Sequence, residues 1–285
     1  MSNISAMIQA IDFIESNLKQ GIGVADVADA VSYSLYHFSR MFNRVIHHTP
    51  YDYLMRRRLS ESARELVDTD KKIIEVAFDY RFNAPETYSR AFKRMFGVQP
   101  HQWRKRGPLD RRALMCRLTP EHIAHVNKGD YLKPTLVERD AFRLAGLMTL
   151  VRDDPAVIPQ IWHTVAKELK RIQDADVTGR YYGVVWYPSG WQERGYLYMA
   201  AIETGSLDTT GSPLVAKTLR PSKWARFVHK GPYRDLKLTQ DYIYQTWLPQ
   251  SGEHLATALE VEGYGPNPGN ASGEESETEI YIPLQ

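Results

Sequence analysis

Two arginines fifty residues apart, Arg40 and Arg90, sit in near copies of one pentapeptide: Phe38-Ser39-Arg40-Met41-Phe42 returns as Tyr88-Ser89-Arg90-Ala91-Phe92. A guanidinium on an outward helix face can grip guanine O6 and N7 with two hydrogen bonds, and a neighbouring hydroxyl is a permissive donor or acceptor. In each copy the aromatics stand four apart, as one helical stripe requires, so serine and arginine fall on another face. The same polar face is offered twice.

The elements that hold these residues can be read from the flanking sequence. Val24, Val27, Ala28 and Val31 keep helical spacing before a break at Ser32-Tyr33; Ile73, Ile74, Val76 and Ala77 do so before Tyr80-Arg81-Phe82-Asn83. Helix, short turn and second helix with arginine outward make a helix-turn-helix pattern. Two helical hairpins that merely pack would share the apolar stripe, but repetition of the polar Ser-Arg favours the first reading. Between the copies, Thr49-Pro50 opens a long element through Val67, with Tyr53, Leu54, Leu59, Ala63 and Leu66 on its apolar face. At 1.5 Å per residue it is about 27 Å long. Such a rod could hold two readers roughly one DNA turn apart, the ~34 Å at which major-groove faces recur.

Charge divides unevenly. Residues 1–107 hold sixteen Lys/Arg and twelve Asp/Glu, a net +4, while the remainder holds twenty and twenty-two, a net −2. The basic half is the one with the repeat, as a nucleic-acid module would have it. Cys116 is the single cysteine, so neither a disulfide framework nor a thiolate zinc site is expected within one chain, and the metal and cofactor expectation is none. Met1–Gln20 reads as an amphipathic helix, and no apolar run approaches twenty residues, so a cytoplasmic protein with no membrane partner is expected.

The run Arg81-Phe82-Asn83-Ala84-Pro85-Glu86-Thr87-Tyr88-Ser89-Arg90-Ala91-Phe92-Lys93-Arg94-Met95-Phe96-Gly97-Val98-Gln99-Pro100, followed by Trp103-Arg104, resembles the signature of the AraC/XylS transcription regulators, over about residues 4–107. The resemblance implies an all-α domain with two helix-turn-helix motifs. It places Tyr36, Ser39 and Arg40 at base-reading positions of the first unit, and Pro85, Glu86, Thr87, Ser89 and Arg90 at those of the second. Relatives often carry Gln where Pro85 and Glu86 stand, so their operators do not transfer. Lys93, Arg94, Arg104 and Lys105 are candidates for DNA phosphate contact, and Arg56-Arg57-Arg58 divides between phosphate contact, solvation and structural pairing. The implied partners are double-stranded promoter DNA, bound as a monomer at an asymmetric site, and RNA polymerase. The implied role is an activator.

Residues 108–130 read as a connector with one helical piece. From about Tyr131 the periodicity changes: Leu144–Leu150, Tyr181–Tyr187 and Tyr196–Thr204 read as strands with a helix stripe Ile161–Ile172, then Trp224–His229, Leu255–Glu262 and Glu279–Pro283 as strands with a helix Tyr233–Leu248. Two strand-helix-strand-strand repeats imply an α+β C-terminal domain over 131–285 with helices on one face. Phe227-Val228-His229-Lys230-Gly231-Pro232-Tyr233, Trp247-Leu248-Pro249 and Glu279-Ile280-Tyr281-Ile282-Pro283 resemble the GyrI-like effector-binding domain. That family binds lipophilic, often cationic, small molecules between its two repeats. Trp186, Trp191, Tyr198, Phe227, Tyr233, Tyr264 and Tyr281 supply aromatic surface, and Glu262 and Glu279 supply carboxylates. Glu279 and Tyr281, two apart on one strand, share a face and form the leading pair. The same aromatics suit a packed sheet, since Tyr and Trp favour strands in any case. No Ser-His-Asp order, zinc-protease motif or phosphate-binding glycine loop is present, so no enzyme is expected. The alternative is a small-molecule-sequestering or hydrolytic GyrI-like protein with an accessory DNA-binding domain.

Overall fold

A computed structural model describes residues 3–106, 111–128, 132–152, 156–169, 177–188, 194–205, 213–264, 273 and 276–285. Trp191 and most of the Gly263–Ser276 stretch lie outside them. The chain forms two compact units, Met1–Lys128 with Gln240–Gln250 and Gly129–Thr239 with Ser251–Gln285.

In the first unit α1 (Asn3–Ser16), α2 (Val24–Ala30) and α3 (Leu35–Ile46) precede α4 (Pro50–Asp68), and α5 (Ile73–Asp79), α6 (Pro85–Phe96) and α7 (Pro100–Arg106) follow it. Each start has a local cause. Ser34 Oγ accepts from His37 N, Thr49 Oγ1 accepts from Asp52 N with Pro50 in the first turn, and Pro85 opens α6 where a missing N–H costs nothing. The two inter-helix turns hold Ser32 and Arg81 at φ of 58° and 65°, and α3 and α6 end on left-handed His47 and Gly97, which keep the fifty-residue offset of Arg40 and Arg90.

α4 divides the apolar interior. Its Tyr53 and Leu54 join α1, α2 and α3, including Phe38 and Phe42, in one core. Its Leu59, Ala63 and Leu66 join Val76, Ala77, Tyr88, Phe92, Phe96 and Trp103 in another. Each reader thus has its own core, and one helix serves both. Arg57 and Arg58 turn inward: Arg57 grips both Glu15 oxygens at 2.7 Å, and Arg58 donates to the carbonyls of Leu18 and Gln20 at 2.9 and 2.7 Å. Two of the three consecutive arginines are therefore structural.

Packing divides the chain differently from the boundaries at 107 and 131. Met115 and Ile123, the latter on α8 (Pro120–Val126), enter the first core, so the stretch read as a connector belongs to the first unit. Gln240–Gln250, inside the stretch read as the second domain, packs there too: Thr246 Oγ1 meets His48 Nε2 at 3.0 Å, and Gln250 Nε2 donates to the His47 carbonyl at 2.8 Å.

The second unit is an eight-stranded antiparallel sheet built from β1 (Thr135–Arg139), β2 (Phe142–Val151), β3 (Val177–Trp186), β4 (Tyr196–Thr204), β5 (Val215–Leu219), β6 (Ser222–Lys230), β7 (Leu259–Tyr264) and β8 (Glu277–Leu284). The order β1-β6-β8-β7-β3-β4-β2-β5 runs through equivalent strands from either end. α9 (Val157–Leu169) follows β2, and α10 (Leu236–Tyr242) follows β6. Both cover one face: Ile158, Ile161 and Val165 of α9 pack with Val185, Tyr198 and Ala200, and Thr239 of α10 bonds His229 at 2.8 Å. β1 and β5 escape the sequence reading because they are edge strands with mostly exposed residues and no alternation to mark them. The strand before the last is also displaced, β7 starting at Leu259 while Leu255 makes only an isolated bridge to Leu284.

Candidate nucleic-acid interface and effector cage

The two readers expose the same pattern, position by position, over 36–44 and 86–94. Phe38 and Phe42, like Tyr88 and Phe92, are buried; Ser39 and Ser89 are half-buried; Tyr36, Arg40, Glu86, Thr87 and Arg90 are exposed. Both arginines therefore point away from the cores. Arg40 Nη1 donates to Tyr36 Oη at 3.3 Å with its guanidinium 5.6 Å from the ring, a pairing that holds the side chain along the helix surface. Tyr36 itself is 72% exposed, an aromatic with no core role. Pro85 is half-buried in the first turn, where it starts the helix and has no donor to offer a base.

The same register identifies residues that the sequence reading passed over. His37, Asn43 and Arg44 occupy on α3 the exposed positions of Thr87, Lys93 and Arg94 on α6. Applying the fifty-residue offset to the whole helix, not just to the pentapeptide, would have found them. Lys93, Arg94 and Lys105 are exposed. Arg104 differs from the expectation of a phosphate contact: its Nε donates to the Leu66 carbonyl at 2.8 Å and its Nη2 to the Lys71 carbonyl at 2.5 Å. It closes the C-terminal end of α4, whose last carbonyls lack helical partners.

The effector residues separate onto the two faces of the sheet. Glu279, Tyr281 and Trp186 lie on one; Glu262, Tyr264, Tyr198, Phe227 and Tyr233 lie on the helix-covered other. Glu279 and Tyr281 do touch, Tyr281 Oη donating to Glu279 Oε2 at 2.8 Å, but Arg226 holds the other carboxylate oxygen through Nε at 2.7 Å. With its charge already met and about a third of its side chain exposed, Glu279 is a poor receptor for a cation. The leading pair thus shares a face and a hydrogen bond, with Arg226 already on its carboxylate.

Glu262 is the sealed carboxylate, 2% exposed. Strand register places it in a row with Phe227 and Ile280 on one side and Gly183 and Ala200 on the other. Tyr264 donates a short hydrogen bond to Oε2, and Tyr233 donates to the same oxygen at 3.4 Å. Tyr198 Oη lies 3.3 Å from Tyr264 Oη and accepts from Trp162 Nε1 at 3.0 Å. Trp162 stands edge-on to Tyr264 with ring centres 5.4 Å apart. Gly183 leaves room for this arrangement: a Cβ would sit 2.5 Å from Tyr198 Oη and 2.8 Å from Glu262 Oε2 and would shift both side chains. Among the described residues Glu262 has no ion-pair partner. Burial, reinforced by the neighbouring Glu260 carboxylate, pushes its pKa up to about 8. Burial likewise raises Tyr198 and Tyr264, so these hydroxyls stay protonated as donors. The result is a buried carboxyl group neutralised by a proton and ringed by aromatic side chains.

Comparison with known proteins assigns both units. Residues 27–106 match a helix-turn-helix domain model, and residues 132–285 match the GyrI-like small molecule binding domain. The HTH-type transcriptional regulator YbfP of Bacillus subtilis is 34% identical over 99 residues, 35% of this chain and 34% of that protein. The multiple antibiotic resistance protein MarA of Salmonella typhimurium is 33% identical over 94 residues, 33% of this chain and 74% of MarA. The transcriptional regulator Rob of the same organism is 38% identical over 93 residues, 33% of this chain and 32% of Rob. The alignments thus span about a third of the length of YbfP and of Rob. No helix among the described residues is long and apolar enough to cross a membrane. With its second unit matched over more than half of the chain and its first aligned with most of MarA, the chain belongs to the GyrI-like family, carrying an AraC-type helix-turn-helix domain ahead of that domain.

Proposed function

We propose that the chain is a cytoplasmic transcription activator that reads an asymmetric promoter site as a monomer and senses a lipophilic cation. The observation that carries the first part is the matched exposure of α3 and α6, with Arg40 and Arg90 outward at equivalent positions. Two different readers on one chain need no twofold partner, so an asymmetric site suits them. The first face carries Tyr36, His37, Arg40 and Arg44, and the second Glu86, Thr87, Arg90 and Arg94. The first is the more aromatic, fitted to guanine through Arg40 and to a thymine methyl through Tyr36. Glu86 on the second can accept from cytosine N4 while repelling phosphate, so it selects sequence at some cost in affinity. Lys93, Arg94 and Lys105 would meet phosphates, and RNA polymerase is the partner an activator requires.

Footprinting with the Arg40→Ala/Arg90→Ala double variant tests this reading. Each lost bidentate base contact is worth about 1–3 kcal/mol, so together they remove promoter protection at concentrations that protect with the parent. Uptake of a cationic dye stays unchanged. Protection that survives the double substitution overturns the assignment of the two faces.

The second part rests on Glu262 and its cage. A cation that enters must bring enough apolar surface to replace the tyrosine contacts and must displace the carboxyl proton, which selects delocalised aromatic cations over ammonium groups that hold their water.

A further inference from the structure

The first unit brings together three donor groups of different kinds. Cys116 lies just ahead of α8, His122 on α8, and Asp241 at the start of the Gln240–Gln250 segment. One ligand atom from each, thiol, imidazole and carboxylate, lies within 4.8 Å of the others, and all three residues are half-buried. His122 Nε2 is 3.3 Å from Asp241 Oδ2.

We propose that Cys116, His122 and Asp241 form a binding site for a divalent zinc ion, with water as the fourth ligand. A tetrahedral ion with bonds of about 2.3 Å to sulfur and about 2.0–2.2 Å to nitrogen and oxygen sets its donors about 3.3–3.7 Å apart. The imidazole and carboxylate are already at that spacing, and the others need close by only about 1 Å. A single thiolate among nitrogen and oxygen donors suits zinc, whereas magnesium and calcium seek oxygen alone.

The surrounding groups are placed as supports. Thr119 holds the other ring nitrogen, its backbone N–H donating to His122 Nδ1 at 3.3 Å and its Oγ1 lying 2.9 Å from it, which fixes the ring with Nε2 toward Asp241. Gln245 accepts from the Cys116 backbone N–H at 2.9 Å and donates to Asp241 Oδ1 at 3.1 Å. That leaves Oδ2 facing the imidazole. Sequence alone gives a lone cysteine, from which a zinc site is not expected; the fold adds a carboxylate 125 positions away by seating Gln240–Gln250 in the first unit. A bound ion would join that segment to α8 by bonds stronger than the present hydrogen bonds.

Cobalt substitution tests the site in the full chain. After chelator treatment, Co²⁺ added to the protein gives a thiolate-to-cobalt charge-transfer band, which one equivalent of Zn²⁺ removes. Cys116→Ser, nearly the same size, abolishes the band while leaving the metal-free melting temperature unchanged. Asp241→Asn weakens cobalt binding at least tenfold, and Zn²⁺ slows hydrogen exchange across Gln240–Gln250 in the parent but not in Cys116→Ser. Absence of the band, its survival in Cys116→Ser, or binding indifferent to Asp241→Asn overturns the proposal.

Discussion

Glu262 and Glu279 stand on neighbouring strands, yet the fold treats them oppositely. Glu279 lies on the open face, paired with Arg226 and touched by Tyr281. Glu262 lies beneath α9, hydrogen-bonded only by tyrosines among the described residues and held as the neutral acid. Each carboxylate has its charge compensated, one by a fixed guanidinium and the other by a proton. The proposed ligand contact at Glu262 follows from that difference, since a proton leaves readily and an anchored arginine does not. Nearness to aromatics does not separate the two, for both have a tyrosine two residues along the strand.

The largest expected effect follows from that proton. With Glu262 raised from 4.5 to about 8, the folded chain keeps a proton that the unfolded chain has released. The stability this contributes is full below pH 4.5 and is lost as pH rises toward 8. A cation that pairs with the carboxylate must expel the proton, so affinity for a dye such as crystal violet rises about tenfold per pH unit well below the raised value, about 50-fold from pH 6 to 8, and then levels. Tyr198, Tyr233 and Tyr264 are all shifted upward by burial and do not titrate in this window. Equilibrium titrations across the range check this, and a flat profile would separate Glu262 from the ligand.

Replacing the carboxylate sharpens the comparison at one pH. Glu262→Gln keeps the shape but cannot ionise, so at pH 8 dye binding weakens at least about tenfold, about 1.4 kcal/mol. The variant also loses the pH dependence and melts higher than the parent at that pH, because no charge is buried. A variant that binds as tightly as the parent removes electrostatics from recognition.

How far such sites could be read from the letters depends on what marks them. The readers were legible because a repeat displays its own periodicity: Phe38/Phe42 and Tyr88/Phe92 set the buried stripe, and everything between them followed. The strands β2, β4, β6 and β8 were legible because they are largely apolar and buried, whereas β1 and β5 are mostly exposed edge strands. The cage was only half legible. Glu262 and Tyr264 share a face by spacing, but Gly183 enters through register between strands nearly eighty positions apart. Arg104 shows the converse: its charge suggested DNA, and only the fold reveals the two carbonyls that use it, Leu66 in the last turn of α4 and Lys71 just beyond it.

The smallest effect is the one that separates the faces. Glu279→Gln removes one charge of a partly exposed ion pair, and such pairs are worth about 0.2–1 kcal/mol because water screens both partners. Arg226 would then carry an uncompensated charge on the open face, which disfavours a cation there rather than recruiting one. If the ligand lies at Glu262, behind the sheet from this pair, the change reaches it only through long-range electrostatics, and crystal violet affinity shifts by less than about twofold at pH 8. A loss as large as that of Glu262→Gln would mean that the cation displaces Arg226 and sits among Tyr281, Tyr182 and Trp224. The open face would then be the sensing face, and the proton held at Glu262 would serve the packing of α9 against the sheet instead.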